Sequence, residues 1–180
     1  MKILKNMAII VAVIIAIPLV IALFTAKDVT VVREITINKP HQEVYDYTKY
    51  LKNQDNFSKW ALMDPDMKKD YLGTDGEVGF VSSWKSENPD VGSGEQEILA
   101  IQEGKRIDYA LRFLEPFESN DKSFFEFESL GENKTLVRWG YDGHMAYPMN
   151  AMLLVMDMEK MIGDDFQTGL ENLKNILENN

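Results

Sequence analysis

The sequence contains no cysteine and only two histidines, His41 and His144, among its 180 residues. The lack of cysteine excludes disulfide bonds and thiolate catalysis. The histidines and carboxylates show none of the spacings that hold zinc, so we expect neither a metal ion nor a cofactor. The phosphate-binding motif G-x-x-x-x-G-K-[ST], the hydrolase motif G-x-S-x-G and the metalloprotease motif H-E-x-x-H are absent as well.

Positive charge is also scarce. The chain has 19 lysines and arginines against 29 aspartates and glutamates, a formal net charge of −10. Lys2 and Lys5 are the only charged residues among the first 26, so the remainder carries 17 basic and 29 acidic side chains, or −12. Such a surface repels phosphate backbones, which disfavours nucleic-acid binding.

One long hydrophobic run is present, at the amino terminus. Residues 7–24 are uncharged and almost wholly apolar, and Thr25 and Ala26 extend the run to twenty. A helix of that length spans a bilayer core of about 30 Å. A cleaved signal peptide is the alternative, but its apolar region is shorter, and a cut after Ala26 would place Phe24 where a small residue is required. We therefore predict a single-pass membrane anchor over residues 1–26 and one folded domain over residues 27–180.

The charges around this run indicate its orientation. Lys2 and Lys5 precede it, which favours a cytoplasmic amino terminus and places the folded domain outside the cytoplasm. No other run is long and apolar enough to enter a membrane. We therefore expect the domain without its anchor to be soluble and monomeric.

The pattern after the anchor predicts strands and two short helices. Residues 29–38 are β-branched and alternating, which indicates a strand. Residues 41–51 show helical spacing after Pro40, and residues 55–60 suggest a second short helix. Six more strand-like runs, separated by turn residues, cover 67–72, 78–84, 94–101, 106–114, 123–130 and 135–141.

The last element is a predicted helix over residues 148–177, in which the helical pattern is weakest at 163–165. Its apolar side chains recur at three-and-four spacing, which places them on one face. A strand, two helices, six strands and a long helix predict an α+β fold. In this fold an antiparallel sheet of about seven strands curls around the last helix.

Aromatic residues alternate along the later strands, so the face towards the helix should be aromatic. Six of the ten methionines fall within residues 145–161. Methionine is flexible and polarizable, so these side chains either fill an ordinary core or form the wall of a ligand cavity. On the cavity interpretation we predict the following ligand-binding residues: Trp60, Tyr109, Phe113, Phe125, Phe127, Trp139, Tyr141, Met152 and Met156.

Few polar groups could act as catalysts. Asp142 could orient His144 as a general base, but strand alternation places both opposite Trp139 and Tyr141, which favours a solvated strand end. Glu95 and Glu97 with one histidine form no recognisable metal set. We therefore predict no catalytic residue.

Several stretches resemble the SRPBCC superfamily, the START-like or polyketide cyclase/dehydrase group. They are R-E-I-T-I-N-K-P-H-Q-E-V-Y-D-Y at 33–47, M-D-P-D-M at 63–67, G-S-G-E at 92–95 and K-R-I-D-Y-A-L at 105–111. The tail at 156–174 is similar to a membrane-anchored bacterial subset. Where the family usually has N-W-P-x-W, this chain has N-F-S-K-W at 56–60 and keeps Trp60.

The resemblance implies a helix-grip fold with an internal cavity over residues 32–177. Members carry lipids, bind hormones, cyclise polyketides or assist chaperones, and no catalytic residue carries over to a position here. The first hypothesis is a membrane-anchored domain that binds a hydrophobic small molecule or lipid. A polyketide cyclase/dehydratase-like enzyme is the alternative, and a protein-interaction domain with a vestigial cavity is the third.

Overall fold

The computed structural model describes residues 2–179, apart from the side chain of Ala8. Within these residues the elements run in the order helix, strand, three short helices, six strands and two helices. Their bounds are α1 Lys2–Ala22, β1 Asp28–Ile37, α2 His41–Lys49, a first 3-10 helix Leu51–Asn56, α3 Lys59–Met63, β2 Lys68–Leu72, β3 Val81–Lys85, β4 Ser93–Gln102, β5 Arg106–Glu115, β6 Ser119–Gly131, β7 Lys134–His144, a second 3-10 helix Met149–Leu154 and α4 Met158–Glu178.

The seven strands form one antiparallel sheet in the order β1-β7-β6-β5-β4-β3-β2, which confirms the predicted α+β architecture. The register pairs Asp28 with His144, and Ser93 with both Glu115 and Lys85. These paired residues lie at one end of the strands, where the chain enters the sheet from α1. The last residue of β7 and the turn between β5 and β6 lie at the same end. We call it the proximal end. The β6–β7 turn lies at the opposite, distal end.

The core lies between the concave face of the sheet and α4. Strand alternation buries Val31 and Ile37 of β1, while Val32 remains exposed. Helix α4 presents Phe166, Leu170, Leu173 and Leu177 to the sheet at helical spacing, and all four are buried. Burial of a side chain of this size contributes about 1.5–3 kcal/mol, so the α4 contact is a major part of the stability.

The predicted single helix over residues 148–177 is wrong in one respect. The chain breaks between the second 3-10 helix and α4, at residues 155–157, and not at residues 163–165. Asp157 is the cause, because its carboxylate accepts the backbone N–H of Lys160 at 3.0 Å and caps a new helix. Gly163 lies within α4 and leaves room for the Arg33 guanidinium, with which any Cβ would collide.

The second short helix also differs from the prediction. Instead of one helix over residues 55–60, the chain forms the first 3-10 helix and then α3, with Phe57 between them. Phe57 is fully buried and packs edge-on against Phe125 and Trp139. The interruption therefore places an aromatic ring in the core, and α3 begins after it at Lys59.

Candidate ligand-binding cavity

A cavity of about 570 Å³ lies between the proximal half of the sheet and the start of α4. This volume is within the range of sites that hold small organic molecules, about 300–1,000 Å³. Exposed residues such as Asp90, Phe117 and Glu118 border it, so it opens to the outside at the proximal end.

Aromatic side chains form the walls of the cavity. Trp139 stacks between Phe125 and Phe166, with ring centroids 4.8 and 4.3 Å apart. Trp60 packs edge-on against Trp139 at 6.4 Å. An ion pair of Lys59 with Asp165 joins α3 to α4 beside it. The stack is therefore held from the sheet, from α3 and from α4, which gives the cavity a rigid aromatic wall.

Methionines form much of the rest of the cavity wall. All six methionines within residues 145–161 border the cavity, and Met67 joins them. They come from the strand end, the second 3-10 helix and the first turn of α4. A wall of unbranched thioethers adapts to the shape of a ligand more easily than one of branched side chains. Their position matches the ligand-wall interpretation.

The structure brings six of the nine predicted site residues to the cavity. These are Trp60, Phe113, Trp139, Tyr141, Met152 and Met156. The other three, Tyr109, Phe125 and Phe127, do not border it and are at most 6% exposed. Alternation placed the aromatic residues of the strands on the concave side of the sheet, which is where the structure has them. It could not show that the cavity occupies the proximal half of the strands, because the closely packed core fills the distal half.

The indole N–H of Trp139, a residue that borders the cavity, is a buried donor with no hydrogen-bond partner among the described residues. Gly169 of α4 lies against the six-membered ring of Trp139, so the N–H is on the edge turned away from α4. A buried donor left unpaired costs about 1–3 kcal/mol. A ligand with an oxygen acceptor would satisfy such groups.

Sequence reasoning missed Gln54 and also Trp84. Gln54 lies in a 3-10 helix, where no apolar period marks its inward side. Trp84 lies on β3 over Gly94 of β4, where a Cβ would come within 2.8 Å of the indole ring. The alternation of β3, which places Ser82 and Trp84 on one face, is a signal that could have found Trp84.

Asp121 is the buried carboxylate of the cavity, with 6% of its surface exposed. It accepts hydrogen bonds from the Tyr141 hydroxyl at 2.9 Å, the Ser119 hydroxyl at 2.8 Å and the backbone N–H of His144 at 3.2 Å. Burial and the adjacent Asp121 raise the pKa of the Tyr141 hydroxyl far above its ordinary value. The tyrosine therefore stays neutral, and its hydroxyl donates a hydrogen bond to Asp121.

Asp142 and His144 do not pair with each other. The Asp142 carboxylate accepts from the Thr30 hydroxyl at 2.8 Å, and His144 Nδ1 lies 2.6 Å from Asp28 Oδ1. Glu95 and Glu97 both pair with Arg112. No cluster of three or more histidines and carboxylates that could hold a metal ion occurs in the described part of the chain.

A family model described as polyketide cyclase / dehydrase and lipid transport matches residues 28–178. No curated protein matches the chain.

Several solved structures share the fold at low sequence identity. The crystal structure of Ara h 8.0201 is 14% identical, with a TM-score of 0.60, over 85% of this chain and 99% of that one. Protein MLL2253 from Mesorhizobium loti is 18% identical, with a TM-score of 0.60, over 84% and 98%. The Aha1 dimer from Colwellia psychrerythraea is 15% identical, with a TM-score of 0.58, over 83% and 96%. These likenesses confirm the helix-grip fold.

Proposed function

Because the chain belongs to the polyketide cyclase / dehydrase and lipid transport family, we propose that it binds one lipid or lipid-like small molecule while α1 holds it in a membrane. The observation that carries the proposal is the cavity of about 570 Å³, with its rigid aromatic wall and its adaptable methionine wall. Its size suits a ligand of small-molecule dimensions, and an apolar lining favours an apolar ligand.

An unpartnered donor indicates the polar part of the ligand. The indole N–H of Trp139 has no acceptor within the described chain. A carbonyl, ester or carboxylate oxygen of the ligand could accept this hydrogen bond. The ligand class we propose is therefore an apolar body with at least one oxygen acceptor, such as an acyl lipid.

Binding has more support in the structure than the cyclase-like alternative. Catalysis of that kind needs a group that is free to move a proton at the ligand. The Tyr141 hydroxyl is engaged with Asp121 and the Asp142 carboxylate with Thr30. His144 pairs with Asp28 at the exposed end of the strands. Two of these three groups are therefore already occupied by contacts within the fold.

The test of binding uses the three tryptophans, Trp60, Trp84 and Trp139, all of which border the cavity. We expect the uncharged apolar probe N-phenylnaphthylamine to quench the tryptophan fluorescence of fragment 27–180. Because the probe binds only the folded state, it should also stabilise that state by about 2.7 kcal/mol at a hundred times its dissociation constant. Fluorescence titration and urea unfolding with and without the probe measure both effects. An unquenched signal and an unchanged midpoint would refute the proposed function.

The membrane part of the proposal rests on α1. It is the one helix in the described chain that is long and apolar enough to cross a bilayer. We expect the full chain to sediment with membranes until detergent is added, and fragment 27–180 to stay in the supernatant. An alkaline phosphatase fusion at the carboxyl terminus should be active if the domain is exported. Full-length protein of unreduced mass in the supernatant without detergent would contradict the anchor.

A further inference from the structure

We propose that the mouth of the cavity rests on the bilayer that holds α1, so that the ligand passes between bilayer and cavity without crossing water. This inference rests on the proposed function, because it names the route by which the cavity is filled. It depends on three observations at the proximal end: how α1 is attached, which segment forms the cavity wall, and where apolar side chains are exposed.

The attachment of α1 to the domain is specific. Ala22, the last residue of α1, is fully buried, and its carbonyl accepts the side-chain N–H of Asn150 at 2.7 Å. The same amide nitrogen lies 3.4 Å from the carbonyl of Thr25. The last carbonyls of a helix have no partner within the helix, so Asn150 acts as a cap supplied by the domain. The end of α1 is thus held on the domain surface and is not joined to it by a loose linker alone.

The segment that caps α1 also forms the cavity wall. Asn150 is fully buried in the second 3-10 helix, whose Met149 and Met152 border the cavity. One six-residue helix therefore touches the anchor on one side and the cavity on the other. The end of a membrane-spanning helix lies at the bilayer surface, so this wall must lie close to that surface.

Apolar side chains are exposed at the opening and on the segment that caps α1. Phe117 in the β5–β6 turn borders the cavity and is 61% exposed. Leu154 and Val155, at the end of the second 3-10 helix, and Tyr147 before it do not border the cavity but are exposed as well, Val155 to 85%. Exposed apolar groups beside a cavity mark an interaction surface, and tyrosine is favoured at the membrane interface. The anchor brings this surface to a bilayer, which is the occupant we assign to it.

Charge indicates which bilayer fits. Glu115 and Glu118 flank Phe117, and Asp157 and Glu159 follow Val155. The nearest lysines in sequence are Lys122 after Phe117 and Lys160 after Val155. An anionic bilayer would repel the acidic majority, whereas a zwitterionic one would not. Docking should therefore be strongest on phosphatidylcholine and weaken when anionic lipid is added.

The lack of cysteine makes a labelling test direct. Phe117→Cys and Val155→Cys, each labelled with a nitrobenzoxadiazole fluorophore in the full chain, are placed in phosphatidylcholine vesicles. Leu72→Cys and Leu130→Cys are matched controls, since both leucines are exposed and lie away from the proximal end. We expect blue-shifted emission and quenching by spin-labelled lipid at 117 and 155, and quenching by aqueous iodide at 72 and 130. Aqueous behaviour at all four positions would overturn the inference.

A second variant tests the cap. Asn150→Ala should reduce the blue shift at positions 117 and 155 while α1 stays in the vesicle, because the domain is no longer held in one orientation. Asn133→Ala, in the exposed β6–β7 turn, should leave the shift unchanged. An undiminished shift in Asn150→Ala, with the variant still folded by circular dichroism, would refute the role of the cap.

The outcomes also separate this inference from the proposed function. If N-phenylnaphthylamine binds and the labels report water, the cavity binds ligands but its mouth does not meet the bilayer. If the labels enter the bilayer and the probe does not bind, the domain docks but the proposed function fails, and the exchange route fails with it. Probe binding together with immersed labels at 117 and 155 supports both.

Discussion

Met152→Trp should lower the affinity of fragment 27–180 for N-phenylnaphthylamine by about tenfold or more, which corresponds to at least about 1.4 kcal/mol of binding free energy. Met152 borders the cavity, so a larger side chain there occupies the volume that the probe needs. One indole fills only part of about 570 Å³, and we therefore expect the double variant Met152→Trp/Met156→Trp to abolish binding. Emission of the probe itself, excited directly, measures binding independently of the added tryptophan.

The stability of the same variants separates an open cavity from a packed core. Overpacking a tight core costs about 1–3 kcal/mol, whereas a bulky group that enters an open cavity costs little. We expect Met152→Trp to unfold in urea within about 1 kcal/mol of wild type. Met63→Trp is the matched control, because Met63 is partly exposed and does not border the cavity. A marked loss of stability in Met152→Trp, without any probe binding in wild type, would mean that the methionines are ordinary core.

Phe166→Ala should have the largest effect on stability, a loss of about 3–5 kcal/mol in the free energy of unfolding. Phe166 is 4% exposed, stacks on Trp139 at 4.3 Å and packs edge-on against Trp60 at 5.8 Å. Removal of its ring deletes the part of the aromatic stack that α4 contributes and leaves a void next to the cavity. Such a loss is a large share of the 5–15 kcal/mol by which domains are usually stable.

The control for Phe166→Ala is Phe117→Ala, the same chemical change at a side chain that is 61% exposed. Surface substitutions of this kind usually stay within about 0.5 kcal/mol of wild type. Urea unfolding midpoints of the two variants measure the difference. A loss below about 1 kcal/mol for Phe166→Ala would mean that the stack does not hold α4 on the sheet, contrary to the packing described here.

The strands were predicted well because their signal is local. Each of the seven shows alternating or β-branched residues between turn residues, and the structure has a strand at every predicted position. Trp139 was placed on the concave side in the same way, because alternate residues of a strand must face opposite sides. These inferences needed no knowledge of what packs against the strand.

The last helix shows where local pattern fails. Val155 fits the apolar period of a single helix, yet it is 85% exposed beyond the end of the second 3-10 helix. The break depends on the cap at Asp157 and on the contact of Asn150 with α1, a residue 128 positions away from Ala22. Long-range contacts of that kind leave no periodic trace in the sequence.

Side-chain period and composition within single segments specify the secondary-structure elements, the aromatic side of the sheet, the methionine-rich segment and the apolar amino-terminal helix. The boundary between core and cavity depends instead on how these segments pack, which is why Phe113 borders the cavity while Phe125 lies in the core. Packing between segments also leaves the Trp139 N–H without a partner there among the described residues, and it joins Asn150 of the cavity wall to α1. The reason is physical: free volume and unsatisfied hydrogen bonds are properties of several segments packed together, and no single segment encodes them.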